Sequence, residues 1–481
     1  MVLSQSRSLA CSTCIPALAF VAAATATVGK AARDALFLEQ LGGVAIGVAD
    51  VSSIGLGLLL YWLQARLSRW QPAHGPLVML PLLMSCGTLL LAVCALAADV
   101  PPAPALIVTL YVWMNGQAVL ALATVSIAAH LAAEDDEQAA GTAWRIGAAA
   151  GLGWTAGGLL TMALAARTEP LALVVIAGTA SAVSPLLGWH LARSSAVSAV
   201  TTPLAGPGTQ PRVVEREDDG RPVAPCVLSG RMRAAVCVTF LSAACGGLAS
   251  LQLKTAAGAA IGSAPALVGF FGAFYAVTGG AALVLHLLVT RLLLTRERAP
   301  IALVLGPLVL AAASVGFLAT GTMAAMVLIK GSDHVFRGSF DRAATDWLLR
   351  DVPHQRMVRA RTFIDAIVTR AGDACGTAFG VLWGVMIGFD PDGMATATIA
   401  WTAAAVAAAV LFAGGWRLQA WCRAIQKRMP NASRIVKPPV VPTPGPGYDA
   451  GLTGSRVGSM YWVGRPSASA GALGSGSTIV L

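Results

Sequence analysis

Charged side chains embedded in apolar stretches are the residues of this sequence that could do chemistry. Cations that converge in a sheltered cavity suit an anionic, phosphorylated substrate, because ammonium and guanidinium groups form charge-assisted hydrogen bonds with phosphate oxygens. Four apolar stretches contain such charges. The candidates are Lys30, Arg33 and Asp34; Lys254; Lys330, Asp333, His334, Arg337 and Asp341; and Arg370.

Helical spacing predicts which way these side chains point. Residues three and four positions apart lie on one helix face, so Lys30, Arg33 and Asp34 share a face. The set from Lys330 to Asp341 forms a polar stripe over three helical turns. A charge at the bilayer centre costs about 2.5–3.5 kcal/mol on insertion scales. The stripe is therefore expected to face the interior of a helix bundle.

Ion pairing inside the bundle is the alternative to substrate binding. Arg337 has Asp333 and Asp341 at helical spacing, and Arg370 has Asp373. Lys254 has no carboxylate four residues away, which favours an unpaired, substrate-binding cation. We predict substrate binding by Lys30, Arg33, Lys254, Lys330, Arg337 and Arg370. We predict a coupling or ion-pair role, including transfer of a coupled proton, for Asp34, Asp333, His334 and Asp341.

No catalytic or metal-binding pattern accompanies these charges. Cys11 and Cys14 form a CxxC motif, but no second pair follows at zinc-finger spacing. No Walker A motif occurs, and the Gly-x-Gly at Gly151 lies in an apolar run rather than in a βαβ unit. We therefore predict a protein that is not an enzyme and that has neither a metal nor a cofactor.

Composition indicates which elements hold the charges in place. Of 481 residues, 56% are hydrophobic and only 12% are charged, against about 25% charged in ordinary soluble proteins. A soluble enzyme and a disordered protein are thereby excluded. The apolar runs are continuous, which is typical of membrane helices of about 20 residues. Twelve spans are predicted, near residues 12–38, 44–65, 75–98, 103–132, 145–166, 169–192, 233–256, 266–290, 301–321, 322–349, 361–389 and 395–419.

These spans predict an all-α membrane protein with two pseudo-symmetric six-helix bundles, as in the major facilitator fold. Residues 1–192 form the N-terminal bundle and residues 233–421 the C-terminal bundle. The proline-rich and charged segment 193–232 has the composition of a linker. Residues 422–481 are basic, then rich in proline, glycine and serine, and are predicted to be a disordered tail.

The net charge of +10 is explained by membrane orientation rather than by nucleic-acid binding. Lys and Arg are concentrated in alternate breaks between the apolar runs and in the tail, whereas the other breaks contain few. The positive-inside rule then places both termini and the 193–232 linker in the cytoplasm. We predict a protein of a bacterial inner membrane, with the lipid bilayer as its surroundings.

Several patches resemble bacterial and plastid nucleotide transporters of the ATP/ADP antiporter family. The stretch from Lys30 to Leu38 is similar to that family's first-helix signature. Segments 333–342 and 359–365 are similar to its tenth helix and to the turn into its eleventh, and Arg145 with the following glycines is similar to its fifth span. The resemblance implies a major-facilitator-like fold and either ATP/ADP exchange or proton-coupled nucleotide uptake. Residues 42–50 lack the family's lysine, and the fourth span lacks its acidic residue.

The leading hypothesis is a secondary transporter that moves an organic phosphate anion, a nucleotide first of all, by alternating access. Because the family's lysine and acidic residue are missing, the resemblance supports the family's fold more strongly than its substrate. A major-facilitator-type transporter of an unrelated solute is the first alternative. A non-transporting membrane sensor or scaffold is the second. The oligomeric state is left open by the sequence.

Overall fold

The computed structural model describes residues 2–70, 75–97, 103–132, 136–201, 230–288, 299–337, 363–387, 393–408 and 410–411. All of them belong to one compact unit, Met1–Trp421. The second unit, Cys422–Leu481, contains the predicted tail and lies outside the described residues. Asp341 and most of the predicted 193–232 linker also lie outside them.

Nearly all of the described residues are helical, the others lie in short turns, and none of them forms a strand. Twelve helices are numbered here in chain order: α1 Val2–Trp70, α2 Leu80–Leu96, α3 Pro104–Ala132, α4 Asp136–Ala165, α5 Pro170–Ser181, α6 Val183–Thr201, α7 Gly230–Ala260, α8 Ala264–Leu288, α9 Ala299–Thr320, α10 Met323–Phe336, α11 Thr369–Ile387 and α12 Gly393–Ala408. Helices α1–α6 are called the N-terminal half and α7–α12 the C-terminal half.

Eight segments within the described residues are long and apolar enough to cross a membrane, and two shorter apolar helices join them. Helix α1 supplies two of the eight, Thr13–Gly43 and Ala45–Gln64. They are separated by a kink at Gly42, whose φ of 76° lies in the left-handed region that favours glycine. The expected all-α membrane architecture is confirmed.

Some predicted boundaries differ from the structure. Helix α4 begins at Asp136, not near residue 145, where the sequence predicted the start of the fifth span. The 193–232 segment is helical at both margins, through Thr201 and from Gly230.

The main apolar core lies where the two halves of the chain meet. Phe37 of α1, Tyr111 of α3 and Phe271 of α8 are among its largest fully buried side chains. Large apolar side chains on other helix faces remain exposed, including Leu186 and Val277. Exposed apolar surface of this extent marks a membrane-facing surface.

Helices α4 and α8 pack closely through glycines that are spread along both helices. Gly151 lies against Leu283, and Gly279 lies against Trp154 and Thr155. A methyl group added at Gly158 would lie 2.7 Å from the Gly272 carbonyl oxygen and 2.8 Å from the Ala276 Cα. Small residues permit this close backbone approach between membrane helices.

We predict that Gly158→Ala lowers the stability of the protein by about 1–3 kcal/mol, because backbone atoms cannot make room for the methyl group. Gly280→Ala, in the same interface, is the matched control, since its nearest neighbour, Thr155 Oγ1, is 3.9 Å away. That variant should match or exceed the unmodified protein, because alanine favours a helix by about 1 kcal/mol. Thermal unfolding of detergent-purified protein measures both, and equal losses would contradict the interface described here.

Candidate functional site

A cavity of about 160 Å³ lies between the two halves of the chain and is lined from α1, α3, α7, α10 and α11. Every cation that the sequence predicted as a substrate ligand contributes to its wall. These residues are Lys30, Arg33, Lys254, Lys330, Arg337 and Arg370, and Asp333 and His334 line it with them. The cavity is smaller than the 300–1,000 Å³ of typical ligand pockets.

Among the described residues, the partners of Lys254 of α7 are all side chains of the N-terminal half. Its ammonium group donates a hydrogen bond of 2.7 Å to the Tyr111 hydroxyl and one of 3.3 Å to Asp50. Asp34 Oδ2 lies 3.5 Å away. The Lys254 side chain is 4% exposed, and that of Asp34 is fully buried. The expectation that Lys254 is unpaired is therefore wrong, because its carboxylate partners come from other helices rather than from its own.

Further hydrogen bonds fix the two carboxylates beside Lys254. The Tyr111 hydroxyl donates to Asp50 Oδ1 at 2.6 Å, and the Asn115 amide donates to the same oxygen at 3.3 Å. Arg33 Nε donates to Asp34 at 3.2 Å, and its guanidinium group lies 4.6 Å from the centre of the Tyr111 ring. Lys254, Asp34, Asp50 and Tyr111 thus form one network, called the inter-half network below.

Sequence reasoning missed two members of the inter-half network, Asp50 and Tyr111. A signal for Asp50 was available, because it is the only carboxylate in the predicted span 44–65. An intramembrane carboxylate marks a functional position by default. Tyr111 gave no comparable signal, since a tyrosine in an apolar run is as well suited to packing as to hydrogen bonding.

A second network lies within the C-terminal half. Lys330 donates to Asp333 at 2.7 Å and to the Gly246 carbonyl at 2.9 Å. Arg337 bridges Asp333 at 3.0 Å and Asp373 at 2.7 Å. Arg370 lies 3.8 Å from Asp373. Ion pairing is confirmed for Asp333 with Arg337 and for Arg370 with Asp373.

Lys30 differs from the other cations of the cavity. It makes no ion pair with a residue of the described chain, and its ammonium group lies 5.0 Å from the centre of the Tyr275 ring. The described groups around the cavity comprise the six cations and four carboxylates, Asp34, Asp50, Asp333 and Asp373. In their ordinary charge states they leave an excess of two positive charges.

Aromatic rings surround His334 where it reaches the cavity. Its ring centre lies 5.0 Å from that of Trp154, 5.8 Å from Tyr275 and 6.4 Å from Phe274. His334 Nε2 is buried and has no hydrogen-bond partner among the described residues. These four residues, from α4, α8 and α10, are called the aromatic cluster below. No part of the chain that the structure describes holds three or more His, Cys, Asp or Glu side chains placed to bind a metal ion.

The arrangement of helices is similar to that of a solved transporter. The crystal structure of the nucleoside transporter NupG superposes with a TM-score of 0.52, covering 84% of this chain and 98% of that chain at 13% sequence identity. This chain has a major-facilitator-like fold. It is an integral membrane protein. No protein-family model matches the sequence, and no curated protein matches it. The similarity to the ATP/ADP antiporter family thus stays a resemblance of short motifs.

The networks predict different costs for removing two lysines. Lys254→Gln leaves Asp50 without its ion-pair partner and Asp34 with Arg33 alone, and breaking a buried ion pair typically costs about 3–5 kcal/mol. Lys30→Gln removes a charge that has no carboxylate partner within the described chain, so the fold should be retained. Thermal unfolding midpoints in detergent should therefore fall much further for Lys254→Gln.

A double variant separates loss of the ion pair from loss of the lysine itself. Lys254→Gln combined with Asp50→Asn removes both a charge and its partner, and it should recover part of the midpoint lost in Lys254→Gln alone. If the two lysine variants unfold at the same temperature, the network is not holding the halves together.

Proposed function

We propose that the protein is a secondary transporter that moves an organic phosphate anion, a nucleotide first of all, by alternating access. The excess of positive charge around one cavity between the two halves is the observation that carries this proposal. The cytoplasmic position of both termini belongs to the proposal and rests on the distribution of Lys and Arg in the sequence.

Charge balance favours a phosphate over a neutral solute. A phosphate monoester carries about −1.5 to −2 charges at pH 7, which matches the excess of two positive charges. Lys30 can turn to a substrate without abandoning a carboxylate of the described chain. In the closed structure the other cations are already paired with carboxylates, and they add to the positive field at close range. A phosphate bound here would therefore first contact the ammonium group of Lys30, while most of the surrounding charges are paired with one another.

The aromatic cluster favours a phosphate that carries a planar ring. Stacking of a nucleic-acid base on an aromatic side chain is worth about 1–3 kcal/mol per base. Trp154 and Tyr275 lie beside His334, and Lys30 lies over the Tyr275 ring. Of this cluster only His334 lines the cavity in the closed structure, so a base would enter among the rings when the halves separate, with its phosphate within reach of the cations. The unpartnered His334 Nε2 can form a hydrogen bond with the edge of the base.

The size of the cavity requires the halves to move. A volume of about 160 Å³ is below that of pockets that enclose drug-sized ligands. A nucleotide therefore enters only when the halves separate at one end of the bundle. This is the motion of alternating access, and the major-facilitator-like fold is compatible with it. Exchange of ATP for ADP and proton-coupled nucleotide uptake are two forms of the proposal.

An uncharged nucleoside is the second candidate substrate. The observation that favours it is the overall similarity to the nucleoside transporter NupG. A nucleoside would use the aromatic cluster but not the excess positive charge. Comparing a nucleoside with its own phosphate therefore separates the two candidates. Failure of both to bind would favour an unrelated solute or a non-transporting role.

Binding of radiolabelled AMP, ADP, ATP and adenosine to the purified protein tests the proposal. AMP should bind better than adenosine, and Lys30→Gln should weaken AMP binding tenfold or more, which corresponds to about 1.4 kcal/mol. Arg193→Gln is the control, since this cation stacks on Trp189 and does not line the cavity. Equal AMP affinity in Lys30→Gln and the unmodified protein would remove Lys30 from the site, and adenosine binding without AMP binding would favour the second candidate.

The aromatic cluster makes a separate prediction about the ring of the substrate. Trp154→Leu should reduce AMP affinity about fivefold or more, as loss of about 1 kcal/mol of base stacking would do. Ribose 5-phosphate, which has no base, should bind the variant and the unmodified protein equally. Competition against labelled AMP measures both ligands. Equal losses for both would mean that Trp154 supports the fold rather than the base.

A further inference from the structure

The two charge networks differ in what they join. Lys330, Asp333, Arg337 and Asp373 all belong to the C-terminal half, so relative motion of the halves leaves their contacts intact. The inter-half network joins Lys254 of one half to Asp34, Asp50 and Tyr111 of the other. Relative motion of the halves at this point must break it.

The inter-half network lies near one end of the bundle, called here the Gly42 end. Asp34 and Asp50 are each eight residues from the Gly42 kink, and Lys254 is six residues from Ala260, where α7 ends. With a rise of about 1.5 Å per helical residue, all three lie about 9–12 Å from that end. Arg337 lies deeper, 14 residues beyond the start of α10 at Met323.

Close packing between the halves seals the Gly42 end beyond the network. Leu38 of α1 contacts Gly258 of α7, and Gly43 contacts Thr255. The Glu39 carboxylate accepts a hydrogen bond of 3.2 Å from the backbone of Ala264, at the start of α8. Ala257 is fully buried in this packing. The structure is therefore closed at this end, and the inter-half network lies between these closing contacts and the cavity.

Opening the Gly42 end would separate charged groups of the two halves from their partners. The Lys254 ammonium would leave its three partners, Asp50 would lose its cation, and Asp34 would keep only Arg33. An anion that substitutes for the carboxylates would remove the part of this penalty that falls on Lys254, while Asp50 keeps its hydrogen bonds from Tyr111 and Asn115. Lys254 lines the same cavity as Lys30, so an anion bound there is placed to take the place of the carboxylates.

We propose that the inter-half network is a latch that holds the empty protein closed at the Gly42 end, and that a bound phosphate releases it by taking over Lys254. This inference rests on the proposed function for its second part only. The first part, closure by the network, concerns the protein without any ligand. Substrate that enters from the side of the membrane opposite the Gly42 end then opens the Gly42 end. Uptake of substrate through the Gly42 end is therefore stimulated by substrate on the opposite side.

A cysteine placed in the seal reports opening. In Ala257→Cys the thiol is buried while the end is closed, and its rate of reaction with a maleimide is measured by mass spectrometry of the peptide that contains residue 257. Asp50→Asn in this background should raise the rate tenfold or more without any ligand. Asp373→Asn is the matched control, because it removes the same charge from a pair within one half, and it should leave the rate unchanged.

Tyr111→Phe provides a milder test should Asp50→Asn fold poorly. It removes the hydroxyl that bonds to Lys254 and Asp50 but keeps all charges, and it should raise the rate by a smaller factor. An unchanged rate in both Asp50→Asn and Tyr111→Phe would overturn the latch. An equal increase in Asp373→Asn would overturn it as well, because the effect would not depend on contacts between the halves.

AMP tests release of the latch. Saturating AMP should accelerate labelling of Ala257→Cys tenfold or more and should add little in Asp50→Asn, where the latch is already open. If AMP binds but does not accelerate labelling, release by an anion is overturned. If AMP does not bind while Asp50→Asn still opens the seal, the latch stands and the nucleotide proposal fails.

Discussion

The ammonium group of Lys254 is the point at which the two halves of this membrane protein are tied together. It lies in a sheltered interior and takes every described partner from the opposite half, namely Asp34, Asp50 and Tyr111. In a low-dielectric interior such a group must be surrounded by acceptors, so it fixes α7 against α1 and α3. The closure at the Gly42 end and the charge left over for a substrate both depend on this arrangement.

The charges of the cavity divide into three groups by their partners. Within the C-terminal half, three cations share two carboxylates, which leaves one positive charge, and these contacts hold α10 and α11 to α7. The contacts of Lys254 link the halves and respond to their motion. Lys30 alone among the described lysines makes no ion pair with a described residue, and so it is the group best placed to meet a ligand. One set of intramembrane charges thus supplies rigidity, movement and recognition.

Sequence patterns predicted the helices and the cations of the cavity because both depend on local periodicity. Lys330, Asp333 and Arg337 lie on one helix, so their spacing revealed both the stripe and its internal pairs. The partners of Lys254 are more than 100 positions away in sequence, and helical spacing carries no information about them. The same limit hid the aromatic cluster, whose members come from three helices, and it left the inter-half network to be found in the structure.

The glycines between α4 and α8 have a consequence for how a ligand is sensed. Where small residues bring two helix backbones into contact, few side chains interlock, so the helices can rotate relative to each other at low cost. Trp154 stands in this seam, with its Cβ against Gly279, and also belongs to the aromatic cluster. Any rolling of the seam therefore turns the indole relative to His334. How well a planar ring of a ligand stacks on that indole therefore depends on the angle between the two halves.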